Sequence, residues 1–189
     1  MEKQSTVKGS NPRFGDFPQF QPTYTPQEMF ELGIFGGAYF RPIHSGVTNK
    51  DYKDEHLEFD FLEDLPRDMV ARDSFDYSKN KWGVKAGSSL LEWESKGWIV
   101  EQDPYGWVQW YCRFFYGRRT DDDARQVDRW NMYAGPKSGR WRTNIINKIK
   151  AAGGIEHIDD PKISPVIRQG LLQWAYEPTI ADYKAKINK

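Results

Sequence analysis

The sequence predicts a mainly α protein: a single helical domain with an irregular N-terminal arm and few or no strands. Three observations lead there. Helix-start signals recur along the chain from residue 25 onward. No alternating apolar and polar run of strand length competes with them. Aromatic residues make up 15% of the chain while hydrophobic residues total only 38%, so rings must supply much of the core. Each buried Phe, Tyr or Trp removes roughly 150–250 Å² from water, which offsets the scarcity of aliphatics. The expected organisation is an arm over 1–22, flexible or draped on the surface, a helical domain over 23–178, and a short amphipathic tail over 179–189.

Residues 1–22 are polar, rich in Gly, Pro and Gln, and without periodicity. Phe14, Phe17 and Phe20 recur at every third position, which suggests an arm lying against the body. At Thr25 the text changes: TPQE reads as an N-cap, a proline at the first helical position and a glutamate three residues after the cap. A short helix through MFELGIF follows, ending at Gly36-Gly37, and AYFRPI is expected to be extended because Pro42 discourages further helix. Residues 51–76 hold ten acidic groups against Lys53, Arg67 and Arg72, a local charge of 3 − 10 = −7. Short apolar pieces such as FDFL within it predict an irregular, packed segment rather than a tail.

Five more helix starts are expected. Ser89 with Glu92 opens SLLEWESKGW, and Asp103-Pro104 reads as a cap with proline at the first position of the helix through DPYGWVQWYC. Thr120 with Asp123 forms another capping box, with Asp121, Asp122 and Asp123 favouring the positive end of a helix dipole. Ser138 is expected to cap GRWRTNIINKIKAAGG, closed by a glycine pair. Finally, Ser164-Pro165 opens VIRQGLLQWAYEP, which Pro178 closes.

On a helix starting at 104, Trp107, Trp110, Tyr111, Phe114 and Phe115 share one broad face and Val108 and Cys112 fill the next stripe. This helix is therefore expected to be central and buried on several sides. Cys112 shares that apolar setting, where a thiol is inert. With a single cysteine the chain has no internal disulfide. No apolar h-region opens the sequence and no stretch approaches the roughly 20 apolar residues of a membrane helix. The expectation is an intracellular protein, cytoplasmic or otherwise, with no membrane contact, no cofactor and no metal; three adjacent aspartates leave a cation site as the minor alternative.

After YGRR the character of the chain inverts. From Arg113 to Lys150 stand ten basic residues, seven of them arginine, and four acidic ones, a local charge of 10 − 4 = +6. Trp130, Tyr133 and Trp141 are interleaved with them. Arginine mixed with stackable rings is a common way to hold single strands and unstacked bases. The leading expectation is a nucleic-acid-associated binding module using Arg118, Arg119, Arg129, Arg140 and Arg142, with Lys148 and Lys150 in support. The competing reading is that these arginines pair internally with 51–76 and the Asp run. Arg118 and Arg119 decide most sharply between them, because a two-residue corner between helices is expected to leave at least one guanidinium free for a partner.

Two further readings stay open. The chain could be an enzyme acting on a nucleotide or a nucleic-acid base, with Asp103 as the candidate carboxylate beside a wall of aromatics. It could also be a structural or assembly protein of a virus-like system, meeting another protein partner through its aromatic surface.

DPYGWVQWYCRFFYGRR, RQVDRW and RQGLLQWAY resemble the signatures of an uncharacterised protein family with viral, plant and fungal members. LGIFGGAYFRPI and SLLEWESKGW fit the same pattern, so the resemblance covers about 26–176. It implies no activity, so no residue role is carried over from it.

Overall fold

The computed structural model describes residues 9–187; residues 1–8 of the expected arm and 188–189 of the expected tail lie outside the described residues. The capping box at Thr25 forms in full: Thr25 Oγ1 accepts from Glu28 N and Glu28 Oε2 accepts from Thr25 N at 2.8 Å. Helix α1 (Pro26–Leu32) follows and stops at Gly33, whose φ of 93° breaks the helical path four residues before the expected Gly37. Beyond it a short hairpin pairs β1 (Ile43–Ser45) with β2 (Lys50–Tyr52), antiparallel, with His44 opposite Asp51. The acidic segment is irregular, built of short 3₁₀ turns and helix α2 (Arg67–Val70), and it buries Phe59, Leu62 and Val70.

Among the described residues the remaining helices are α3 (Leu90–Ser95), α4 (Trp107–Phe115), α5 (Asp123–Ala134), α6 (Arg140–Ala151), α7 (Pro165–Leu172) and α8 (Ile180–Ile187). The fold is mainly helical, with one two-stranded sheet among the described residues. No described helix is long and apolar enough to cross a membrane.

Helix α4 is the axis of the core. Trp107, Val108, Trp110, Tyr111, Cys112 and Phe114 are all buried. Its N-terminus lies elsewhere than expected. Asp103 caps nothing; residues 103–106 form a tight turn with Gly106 N donating to Asp103 O at 2.8 Å, and Gly106 itself is the cap, at φ 87°. That φ is open to glycine and strained for a side chain, so the helix cannot run back through it to Pro104. At the other end Gly117 (φ 97°) closes the helix in a Schellman arrangement, with Gly117 N donating to Phe114 O and Arg118 N to Arg113 O.

The expected arm supplies part of this core. Phe20 is fully buried, with its ring 5.1 to 6.3 Å from those of Trp107, Trp110, Tyr111, Phe114 and Trp130. Phe14 and Phe17 pack beside it, edge-on to Phe114. A stretch that reads as polar and aperiodic thus reaches the centre of the molecule through one side chain. The expected tail is likewise engaged: α8 buries Tyr183, and Asp182 pairs with Arg142.

Two other expected caps differ. Ser138 Oγ donates to Asn131 O at 3.1 Å while Gly139 occupies the cap of α6. Ser164 sits at the cap of α7 but makes no capping bond, and α7 ends at Leu172, well short of Pro178.

Candidate functional site

The arginines of 113–150 have separate fates. Arg113 Nη1 and Arg118 Nη2 both donate to the carboxylate of Asp103, at 2.9 and 2.6 Å, and Arg113 also pairs with Glu58 at 2.5 Å. Asp103 is completely buried. Both its oxygens are spent on guanidinium groups, so it is an internal counter-ion and is not poised for acid–base work. Arg119 pairs with Asp16 at 2.5 Å, and its guanidinium carbon lies over the Phe114 ring, 3.9 Å from its centroid. The expected free guanidinium at this corner is therefore absent: both corner arginines are claimed by carboxylates distant in sequence, neither of them in 51–76 or the Asp run. Arg125 pairs with Asp122, and Arg142 with Asp182.

Asp121 to Asp123 also diverge. Asp123 is buried and accepts from Trp110 Nε1 at 2.8 Å and from Thr120 N at 2.9 Å, while Asp121 is exposed; the expected Thr120 cap does not form, since Asp122 holds the cap position of α5 and makes no side-chain capping bond. No cluster of metal-ligating residues forms among the described residues. Cys112 is buried against the ring cluster, and desolvation pushes its thiol well up. The native protein should accordingly resist thiol-labelling reagents that modify it readily once unfolded.

Two arginines of the segment meet no carboxylate among the described residues, Arg129 and Arg140, and both line one cavity of about 700 Å³. Lys148 and Lys150 lie exposed on α6 and do not line it. The cavity lies within the usual volume range of small-molecule sites, roughly 300–1,000 Å³. Trp107 and Val108 of α4 form one wall, α5 contributes Arg129, Met132 and Tyr133, and α6 begins at it with Arg140 and Trp141. Helix α7 adds Gly170, the turn that follows it adds Gln173 and Trp174, and the segment over 86–99 adds Trp93 and Trp98.

Local chemistry holds these walls in place. Gln169 on α7 and Gln173 at its C-terminal cap, one turn apart, clamp two loops. Gln169 Nε2 donates to Gly33 O and its Oε1 accepts from Trp82 N, while Gln173 Nε2 donates to Ala86 O. The Tyr133 ring stacks on Trp174 at 4.9 Å and 17°. Gly170 makes room for it, since a Cβ there would stand 2.9 Å from the Tyr133 hydroxyl. Burial pushes the Tyr133 hydroxyl up to about 12, against the pull of Arg140, so it stays a neutral donor. Trp93 Nε1 donates to Ser88 Oγ at 2.9 Å, which fixes the indole of the otherwise lightly packed α3. Arg129 spans the cavity edge: Nη1 donates to Trp98 O and Gln126 Oε1, and its guanidinium carbon lies 5.6 and 5.5 Å from the Trp98 and Trp174 ring centroids. Arg140 lies over Trp141 at 5.1 Å.

Five tryptophans and two tyrosines thus face one space, with two cations at it and no Asp, Glu, His or Cys in its described lining. Such a surface can stack on flat rings and neutralise negative charge, and it offers no group suited to proton transfer at neutral pH. Sequence reasoning reached Arg129, Arg140, Tyr133 and Trp141. It missed Trp93, Trp98 and Trp174 as partners, because they come from segments brought together only by the fold. No family model, no curated protein and no solved structure matches the chain.

Proposed function

We propose that the chain is a binding domain for nucleotides or nucleic acid that takes one unstacked base into the tryptophan cavity. The observation that carries this reading is the lining itself: five indoles and two phenols around about 700 Å³, flanked by Arg129 and Arg140. Stacking of a base on an aromatic side chain contributes about 1–3 kcal/mol. The reading replaces a continuous basic track with a single pocket, because five of the seven arginines in 113–150 are already ion-paired.

Among the polar groups of the lining the Gln173 amide and the Ser88 hydroxyl are committed, whereas Trp107 Nε1 is buried without a hydrogen-bond partner. Gln173 serves Ala86 O and Phe35 N, and Ser88 accepts from Trp93. Recognition by stacking without edge readout tolerates different bases, so purines are expected to bind more tightly than pyrimidines but adenine and guanine alike. Titration of purine nucleosides should quench the intrinsic tryptophan fluorescence. Trp141→Ala, at a half-buried wall position, should weaken that binding about fivefold or more while leaving the unfolding midpoint nearly unchanged. Absence of quenching by any nucleoside or nucleotide at millimolar concentration would overturn the reading.

A further inference from the structure

We infer that the charged end of the ligand is a phosphomonoester, as on a nucleoside 5′-monophosphate or a 5′-phosphorylated strand end, and that Arg129 selects it. This deepens the pocket reading above and rests on it.

Arg129 is held in one orientation by Trp98 O and Gln126 Oε1 through Nη1 alone. Its Nε and Nη2 donate to no described residue, and the carboxylate whose charge acts on it, Asp122, is bound to Arg125. Burial lowers its pKa, with the charge of Arg125 acting the same way, so the guanidinium is an undercompensated cation. It nevertheless stays charged at neutral pH. A half-buried cation with unused N–H groups is stabilised by an anion that accepts them, and a planar fork favours phosphate or carboxylate oxygens. Arg140 adds a second charge on the same cavity. Two arginines match the roughly −1.5 to −2 charge of a phosphomonoester at neutral pH better than that of a single carboxylate. The same pair opposes the cationic ligands that aromatic cages otherwise favour.

Adenosine and adenosine 5′-monophosphate are the probes, with binding read by tryptophan quenching and by calorimetry. The monophosphate should bind at least about tenfold more tightly, equivalent to about 1.4 kcal/mol, and this margin should shrink as salt rises. Arg129→Gln should remove the margin while leaving adenosine affinity unchanged. Arg129→Lys, which keeps the charge and loses the fork, should restore part of it. Arg140→Gln, at an exposed position, should narrow the margin by about threefold and guards against a folding defect in the Arg129 variants. Short single strands with and without a 5′-phosphate separate the two sources. Preference for the phosphorylated strand over the bare one places the phosphate at a strand end, and binding of the mononucleotide alone places it on a free nucleotide. Equal affinity for adenosine and its monophosphate would overturn the inference while leaving base stacking intact. Binding of neither would overturn both.

Discussion

Phe20→Ala is expected to destabilise the protein by about 3–5 kcal/mol, the usual cost of removing a buried ring from a packed core. The ring is fully buried among six others, so truncation opens a hole that neighbours on α4 and α5 cannot fill without leaving their own contacts. Against a typical total stability of about 5–15 kcal/mol this is a large fraction. Denaturant unfolding should show a lower midpoint with an unchanged slope. A loss under about 1 kcal/mol would show that residues 9–22 only cover the core instead of completing it.

Asp103→Asn should be nearly as costly, about 3–5 kcal/mol. The substitution leaves Arg113 and Arg118 facing a neutral amide in a fully buried position, and the amide adds donors where the carboxylate only accepted. Glu58 still partners Arg113, so Arg118 is left with the larger deficit. Its Nε already has no partner. If Asp103 acted only as a helix cap, asparagine would replace it almost without loss and alanine would cost about 1 kcal/mol. Equilibrium unfolding of both variants therefore separates the two roles. A double-mutant cycle of Asp103→Asn with Arg118→Gln should give a coupling well above 0.5 kcal/mol.

Asp103 also shows where a sequence can be read and where it cannot. Local devices were legible: the Thr25–Glu28 box and the Gly117 terminus depend on residues within one turn of each other. The start of α4 differs from the expectation because Asp-Pro is a genuine cap signature, while Gly106 three residues later is the residue that sets the boundary. The partners of Asp103 stand ten and fifteen residues away, and Asp16 stands 103 residues from Arg119. Nothing local announces such pairs. The candidate site was half visible for the same reason. Arg129, Tyr133, Arg140 and Trp141 fall within one stretch whose mixture of rings and charge is readable. The opposing tryptophans at 93, 98 and 174 belong to elements whose helical patterns contain no reference to each other. Which arginines stay unpaired is a property of the finished fold.

The junction between the two halves of the chain has a kinetic consequence. Thr23 N and Tyr24 N both donate to Ala175 O, at 2.7 and 3.2 Å, and Tyr24 and Glu177 meet 153 positions apart. Tyr111 Oη in turn donates to Tyr24 O at 2.7 Å. Closing so long a loop adds little to the equilibrium cost, since each doubling of length takes only about 0.6 kcal/mol. It does order events in time, because distant contacts form late and slow the search. During synthesis the hydrogen bonds at Thr23 and Tyr24 must wait until Ala175 has left the ribosome. Until then the aromatic cluster around α4 lacks the strap that ties the early chain to its far side.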